Sequence, residues 1–359
     1  MNISEAIQIY DTENYWQFLI TFPEQFETGY KASFSKWNPP EKTITTVVIA
    51  GMGGSAIGGE LIQSLFQNEL PVPLVVVRNY ILPAFVSEQS LVIISSYSGC
   101  TEESLSAYKQ ALNIKASVIC LTSGGTLQSY AQNDNAPIVI LPNGYQPRAA
   151  VGASFTAIVH ILEQYQLLKN KSSEIAETVS ILRELNTHFS SDSLVVSKPY
   201  QLAQQLIDKI PIIYTGPYPF TAVGNRWKCQ FNENAKIPAF YNSLPEMNHN
   251  EIMGWNKQFP FTPQFFAIFL RDKNEYSFPE GMDSQITRRI EITQEIIRSQ
   301  NGNIAEVWST GTSPMARAFS LLYFGDYTSY YLALLYKTNP TSIDNIIFLK
   351  EQLRKCNCF

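Results

Sequence analysis

The sequence predicts an α/β protein of two domains, each an α-β-α sandwich around a parallel sheet. Short apolar runs rich in β-branched residues alternate with helix-like stretches through the first half of the chain, which is typical of βαβ units. The same alternation restarts near residue 211, after two long amphipathic helices. At 359 residues and 45% hydrophobic content, the chain is long enough to build two cores.

The first half of the chain predicts five strands and the helices between them. The strands are predicted at 46–50, 74–77, 91–94, 117–121 and 137–141, and the intervening helices include Gly59–Phe66 and Glu102–Leu112. Two longer amphipathic helices, Ala153–Leu168 and Ser173–Phe189, then lead towards the second unit. We therefore predict a first domain at 1–170, which includes an N-terminal helical segment, and a helical connection at 171–197.

The second predicted domain, 198–359, begins with the strand Pro211–Gly216 and the helix Ala222–Asn234. Further predicted strands are Phe265–Leu270 and Ile304–Trp308, and further predicted helices are Ile286–Ser299, Pro314–Lys337 and Ile343–Lys355. The order of elements repeats the plan of the first domain.

Composition excludes several classes of function. A net charge of −5 and a pI near 5.4 give no basic surface for nucleic acid. No apolar run approaches the length of a membrane span and the N-terminus lacks a signal pattern, so we expect a cytoplasmic protein without a membrane partner. The five cysteines, including the terminal pair Cys356 and Cys358, fit no disulfide framework or zinc spacing, so we expect a reduced chain without a metal.

Two loops in the first domain carry the pattern of a phosphate site. The segments Gly51–Gly59 and Ser95–Ser104 each follow a predicted strand and lead into a predicted helix, so both belong at the carboxyl edge of one sheet. Glycine allows backbone N–H groups to approach an anion, and hydroxyl groups beside helix N-termini add donors. The residues that we expect to bind phosphate are Gly53, Gly54, Ser55, Ser96, Ser98 and Thr101.

Other interpretations of these loops fit less well. The loops contain no Lys or Arg, which excludes a P-loop. Gly51, Gly53 and Ala56 satisfy the dinucleotide pattern G-x-G-x-x-A, but the acidic residue expected at the end of the second strand is absent, because that strand runs into Arg78. Helix capping accounts for single hydroxyl groups, but it does not explain two such loops in one sheet. We therefore expect a phosphomonoester and no cofactor.

Two segments of the second domain concentrate polar and charged residues. Asn225–Lys236 follows a predicted strand and contains Glu233, and Pro245–Glu251 contains one histidine and two carboxylates. Capping or a solvated surface explains each carboxylate singly, but it explains the two segments together less well.

Together these segments resemble the bifunctional phosphoglucose/phosphomannose isomerases, a branch of the proteins with two sugar-isomerase domains. The resemblance extends from about residue 46 to 350, and its later motifs are long and specific. It departs from the family at Cys100, where the family usually has Asn. The matching segments are GMGGSAIGGE, SSYSGCTEES, QPR, RWKCQFNENAKIPAF, PEMNHNE and IDNIIFLK.

The resemblance implies two flavodoxin-like sugar-isomerase domains and a metal-independent aldose–ketose isomerase. Its substrates would be glucose 6-phosphate and mannose 6-phosphate, which share a cis-enediol intermediate with fructose 6-phosphate. That reaction needs a carboxylate base and a fixed cation, and Glu233 and Arg148 fit these roles. The resemblance further implies ring opening by His249 and Lys350, and room for both C2 epimers at Thr341.

The same resemblance implies a homodimer in which His249 enters the active site of the neighbouring subunit. Three alternatives remain open at this point. The chain could isomerise another sugar phosphate, bind a sugar phosphate as a sensor without turnover, or be a nucleotide-dependent oxidoreductase. Retention of Glu233, His249, Arg148 and Lys350 argues against the sensor.

Overall fold

The computed structural model describes residues 3–32, 34–35, 43–191, 197–217, 219–272 and 283–355. Within these ranges it shows the predicted α/β fold, with two separate sheets. None of the helices in the same ranges combines the length and apolarity of a membrane span. Cys356 and Cys358 lie outside the described residues, so our interpretation of this pair stays a prediction.

The first sheet has the strand order β1-β6-β5-β4-β2-β3. Strands β2 to β6 are parallel, and the short β1 pairs with β6 in the antiparallel sense. The five predicted strands are all present, with closely matching ends. The strands are β1 (Phe34–Ser35), β2 (Thr46–Ala50), β3 (Leu74–Val77), β4 (Ser90–Ser95), β5 (Ser117–Thr122) and β6 (Ile138–Ile140).

Helices cover both faces of this sheet. In β2, Val47 and Ile49 join one hydrophobic cluster, whereas Val48 and Ala50 join another. The first face packs against α4 (Gly53–Phe66) and α7 (Val151–Gln164), and the second against α5 (Glu102–Asn113) and α6 (Gly125–Asn133). Burial on both faces explains the nearly continuous apolar runs from which the strands were predicted.

The second sheet has the strand order β10-β9-β7-β8, and all of its strands are parallel. Its strands are β7 (Ile210–Thr215), β8 (Phe240–Ser243), β9 (Phe265–Arg271) and β10 (Asn303–Trp308). The helices of this half are α8 (Ser172–Phe189), α9 (Lys198–Gln205), α10 (Thr221–Gln230), α11 (Asp283–Ser299), α12 (Pro314–Leu335) and α13 (Asp344–Lys355).

Strands β1 and β8 were not predicted from the sequence. β8 lies at the edge of its sheet, begins with the exposed Phe240 and ends with Asn242 and Ser243. Since an edge strand is not enclosed on both sides, it needs no continuous run of β-branched residues.

Three N-terminal helices connect the two halves of the molecule. They are α1 (Ile3–Tyr10), α2 (Tyr15–Ile20) and α3 (Phe22–Tyr30). The Phe26 ring packs edge-on against Phe319 of α12, with ring centres 4.7 Å apart, and α3 also packs along α7. One hydrophobic cluster therefore contains residues from both halves. The domain limits at 170 and 198 remain a prediction.

Candidate active site

The two glycine- and serine-rich loops lie side by side at the carboxyl edge of the first sheet. β2 and β4 are paired neighbours, so the loops that follow them meet. Ser55 connects the loops, because its hydroxyl accepts a hydrogen bond from the Tyr97 backbone N–H at 2.9 Å. Its carbonyl also accepts a hydrogen bond from the Ser95 hydroxyl at 2.8 Å. The structure thus brings together the two segments that the sequence predicts to share a phosphate.

The hydroxyl groups of the second loop surround the start of α5. The Ser96 hydroxyl donates to the Thr101 hydroxyl over 3.1 Å, and the Ser98 hydroxyl accepts from the Cys100 N–H over 3.3 Å. Ser96 is buried, whereas Ser98 is exposed and Thr101 is partly exposed. Thr101 occupies the N-cap position of α5 but makes no side-chain capping bond. Its hydroxyl is therefore not explained by helix capping.

A close backbone contact places Arg148 beside these loops. A Cβ atom on Gly54 would lie 2.6 Å from the Arg148 backbone nitrogen, which is closer than real Cβ contacts. Glycine is therefore required for the first turn of α4 to touch the 3₁₀ turn Pro147–Ala149. Gly53, one residue earlier, has a φ of +50°, a conformation that glycine adopts without strain.

The Arg148 guanidinium is buried and held on three sides. Its Nε donates to the Asn234 Oδ1 at 2.9 Å, and its Nη2 donates to the carbonyls of Pro340 and Thr341 at 2.8 and 3.0 Å. The Tyr15 ring lies against it, 5.2 Å from the guanidinium carbon. Its Nη1 lies 3.6 Å from the Glu233 Oε2. Burial leaves the Arg148 side chain 3% exposed, whereas that of Glu233 is 27% exposed.

Glu233 lies on a π-turn and not on an α-helix. The sequence predicts a helix over Ala222–Asn234, but α10 ends at Gln230 and a π-turn, Phe231–Ala235, follows it. In this turn Phe231 and Asn234 are buried while Glu233 stays partly exposed. Hydrophobic periodicity cannot distinguish such a turn from a last α-helical turn, and π-turns occur frequently at functional sites.

A buried ion pair fixes the helix that leads to this turn. Arg226 of α10 binds Asp326 of α12 through two hydrogen bonds of 3.2 and 2.9 Å. Asn234 continues the connection, because its Nδ2 donates to the Ser329 hydroxyl of α12 at 3.0 Å. The position of Glu233 is therefore set by packing against α12, and a well-fixed base favours proton transfer.

Thr341 lies at the edge of the Arg148 pocket. It is 1% exposed, and its hydroxyl has no hydrogen-bond partner among the described residues. Its backbone N–H donates to the Asn339 side chain at 2.8 Å, which fixes the turn. A buried hydroxyl without a partner is uncommon in folded proteins, and next to a candidate site it is available to a ligand.

His249 and Lys350 take no part in the hydrogen bonds and ion pairs that surround Glu233 and Arg148 in the described residues of one chain. His249 ends an exposed 3₁₀ turn, Glu246–His249, and Lys350 lies on the exposed α13. Over the described ranges, no hydrogen bond or ion pair joins either side chain to Glu233 or Arg148. The interpretation of Lys350 as a ring-opening residue therefore lacks support from the geometry of a single chain.

Three residues of the site were not predicted from the sequence. Asn234 and Lys236 lie in the polar segment Asn225–Lys236, for which the sequence predicts a role only for Glu233. Tyr15 has no sequence signal, because it reaches Arg148 from the N-terminal helices.

A separate cleft of about 580 Å³ lies between α4, α10 and β8, and Glu60, Asn225 and Tyr241 contribute to its lining. Glu233 is not among its lining residues.

Among the described side chains, no group of three or more His, Cys, Asp or Glu residues is placed to hold a metal ion.

Several known proteins are similar to this chain in sequence or in fold. The family model described as the bacterial phospho-glucose isomerase C-terminal SIS domain matches residues 196–353. The chain is 36% identical to the bifunctional phosphoglucose/phosphomannose isomerase of Caldicellulosiruptor bescii over 94% of this chain and 98% of that protein. It is 33% identical to the protein of the same name from Thermoplasma volcanium, over 86% and 91% of the two chains. A hypothetical protein from Thermus thermophilus has the same fold, with a TM-score of 0.76, 13% identity and coverage of 99% and 94%.

Proposed function

The chain belongs to the bifunctional phosphoglucose/phosphomannose isomerases, and from this premise we propose how its residues carry out the reaction. It is an enzyme, an aldose–ketose isomerase acting on glucose 6-phosphate and mannose 6-phosphate, with fructose 6-phosphate as the ketose. The observation that carries our assignment of roles is the ion pair between Arg148 and Glu233, next to the two hydroxyl-rich loops.

Glu233 is the base in this proposal. It takes a proton from C1 or C2 of the open-chain sugar and returns it to the other carbon, which passes through a cis-enediol. The neighbouring guanidinium stabilises the negative charge that develops on the substrate oxygen. Supporting evidence is the orientation of Arg148, because Asn234 and two carbonyls bind its other nitrogens and leave Nη1 facing Glu233.

The phosphate binds at the two loops in this proposal. The hydroxyl groups of Ser98 and Thr101 contact it directly, and the backbone of Gly53 and Gly54 with Ser55 and Ser96 completes the cradle. Supporting evidence is the exposure of Ser98 and Thr101 and the absence of a capping bond from Thr101.

Thr341 accommodates both C2 epimers in this proposal. C2 is planar in the enediol, so glucose and mannose phosphates differ only in the face on which C2 receives its proton. Supporting evidence is the unpartnered hydroxyl of Thr341 beside the carbonyl that binds Arg148.

A product assay tests the proposed reaction. Fructose 6-phosphate is incubated with the protein, and glucose 6-phosphate and mannose 6-phosphate are quantified separately. Formation of both aldose phosphates is expected. Binding of fructose 6-phosphate without either product would identify a sensor, and formation of a different sugar phosphate would identify another isomerase.

Replacing Thr101 by Ala should raise KM by about 10- to 100-fold while kcat stays nearly constant. A hydrogen bond to a charged phosphate is worth about 1.5–3 kcal/mol, and it acts equally in the ground state and the transition state. Steady-state kinetics measure the change. Thr101→Ser keeps the hydroxyl and should restore KM, while Ser106→Ala removes a hydroxyl that binds the Tyr80 carbonyl and should change neither constant. An unchanged KM in Thr101→Ala would remove Thr101 from the phosphate site.

We further propose a homodimer whose two active sites are shared between subunits. His249 is exposed, and its side chain makes no hydrogen bond or ion pair within the described part of its own chain. In the dimer it enters the site of the neighbouring subunit and assists ring opening. Lys350 shares that role, since it too lies on the exposed surface.

Subunit mixing tests this arrangement. Glu233→Gln and His249→Ala proteins, each inactive alone, are refolded together. Mixed dimers form about half of the population, and one of their two sites contains both native groups, so about a quarter of normal activity should return. Mass spectrometry verifies the mixing. Verified mixing without recovered activity would show that His249 does not act across a subunit interface.

A further inference from the structure

Lys236 connects the turn that carries Thr341 to the turn that carries Glu233. Its ammonium donates to the carbonyls of Glu233 and Asn339 at 2.7 Å each. It also contacts the carbonyls of Asn234 at 3.1 Å and Pro340 at 3.4 Å. One side chain therefore contacts the backbone of the base and the backbone of the turn Asn339–Thr341.

The backbone of Lys236 is arranged for this contact. Lys236 ends the π-turn with a φ of +59°, a left-handed conformation that costs free energy for a residue with a Cβ atom. The Asn232 side chain bridges across Lys236 by donating to the Ile237 carbonyl at 2.9 Å. The four carbonyl contacts of the ammonium offset that cost.

Lys236 and Arg148 hold the same turn from two sides. Both side chains donate to the Pro340 carbonyl, and Arg148 alone also donates to the Thr341 carbonyl. Arg148 joins the two turns through the Asn234 side chain and the Thr341 carbonyl, whereas Lys236 joins them backbone to backbone, through the carbonyls of Glu233 and Asn339.

We propose that Lys236 is a positioning residue that holds the Asn339–Thr341 turn against the Glu233 turn and thereby sets the face on which C2 is protonated. The proposal rests on the proposed function, because it needs Glu233 as the base and Thr341 beside C2. No contact of Lys236 with substrate is required, since its N–H groups are already directed at carbonyls.

The expected consequence is a change in turnover and in product ratio, with little change in affinity. A displacement of about 1 Å at a reacting centre costs on the order of a hundredfold in rate. The phosphate loops lead into α4 and α5, and no hydrogen bond joins Lys236 to them within the described residues, so phosphate binding should change little. The turn keeps its own bond between the Asn339 side chain and the Thr341 N–H, so loss of Lys236 shifts the turn without unfolding it.

The pKa of Lys236 gives a second way to test its role. Burial of the ammonium and the nearby Arg148 lower the pKa of Lys236 to about 8, while Asp344, Glu233 and Glu13 act in the opposite direction. Above that pH the neutral amine keeps two N–H donors for its carbonyls in place of three. The product ratio of the native enzyme should therefore change as the pH rises through about 8, together with a fall in kcat.

Lys236→Met tests the proposal against a matched control, Lys337→Met. Lys337 has the same left-handed conformation, precedes the same turn and makes no side-chain hydrogen bond or ion pair within the described residues. The measurements are kcat, KM and the initial ratio of mannose 6-phosphate to glucose 6-phosphate formed from fructose 6-phosphate. In Lys236→Met we expect kcat to fall by about ten- to a hundredfold with a changed ratio and no transition near pH 8. Lys337→Met should match the native enzyme.

Other outcomes overturn the proposal. An unchanged product ratio in Lys236→Met, whatever happens to kcat, would show that Lys236 does not control the face of protonation. If Lys236→Met does not fold, Lys236→Gln keeps two N–H donors, and its product ratio should then resemble that of the native enzyme above pH 8. A Glu233→Gln enzyme that keeps full activity would refute the assignment of the base, which is a separate result from an unchanged ratio in Lys236→Met.

Discussion

Replacing Glu233 by Gln is expected to lower kcat by about 10³-fold, within the range of 10²–10⁴ that a general base contributes. Gln has the shape of Glu but cannot accept a proton at the operating pH. The substrate should still bind, because the phosphate and the remaining hydroxyl groups contact other residues. We therefore expect KM to stay within a few-fold of the native value, in the pattern of an interaction made only in the transition state.

A second carboxylate, Glu60, provides a matched control for the Glu233→Gln variant. Glu60 lies on α4, lines the neighbouring cleft and pairs with Arg78 at 2.7 Å. Glu60→Gln should keep nearly full kcat, because Glu60 does not face Arg148. Exchange of the C2 hydrogen with deuterated solvent, followed by mass spectrometry, reports proton transfer directly. A Glu233→Gln enzyme that still exchanges at a tenth of the native rate would assign the base to another residue, and an inactive Glu60→Gln would point to the cleft.

Much of the fold was predictable because the sheets are parallel and buried. Strands such as Leu91–Ile94 are covered by helices on both faces, so their sequences are continuous apolar runs with clear ends. β8 was not predicted, because none of its four residues is buried and two of them, Asn242 and Ser243, are polar, so it lacks the apolar run of the buried strands. The end of α10 was also misjudged, because a π-turn keeps polar residues such as Asn232 and Asn234 in a pattern that resembles a helix.

The site was predictable to the extent that its residues lie in local motifs. Ser98, Thr101 and Glu233 follow strands or helices in recognisable segments, and the pairing of β2 with β4 brings the two loops together. Long-range contacts could not be predicted in this way. Tyr15 contacts Arg148 only after the N-terminal helices pack across both halves, and Lys236 reaches the carbonyls of Asn339 and Pro340 only when their turn packs against the π-turn.

Arg148→Met should lower kcat by about 10²–10³-fold, as removal of one donor to a developing oxyanion does in other enzymes. Some loss of stability should accompany it, because the Asn234 Oδ1 and the Thr341 carbonyl lose the donor that Arg148 supplies in a buried place, and the Pro340 carbonyl keeps only the longer bond from Lys236. Activity must therefore be measured well below the melting temperature of the variant. Arg183→Met, which removes an exposed arginine on α8, serves as the matched control and should keep kcat.

An analogue of the enediolate distinguishes the effect of the Arg148 charge from the effect of its packing. An aldonate phosphate carries a carboxylate where the enediolate oxygens develop, so its affinity should fall in Arg148→Met in proportion to kcat/KM, while substrate affinity changes little. Guanidinium ion at millimolar concentration should restore part of the turnover of Arg148→Ala, because the smaller side chain leaves space between Asn234 and Glu233. An equal loss of affinity for the substrate and for the analogue would instead show that Arg148 binds the ground state and the transition state equally. The cation that stabilises the enediolate would then have to come from elsewhere in the assembled enzyme.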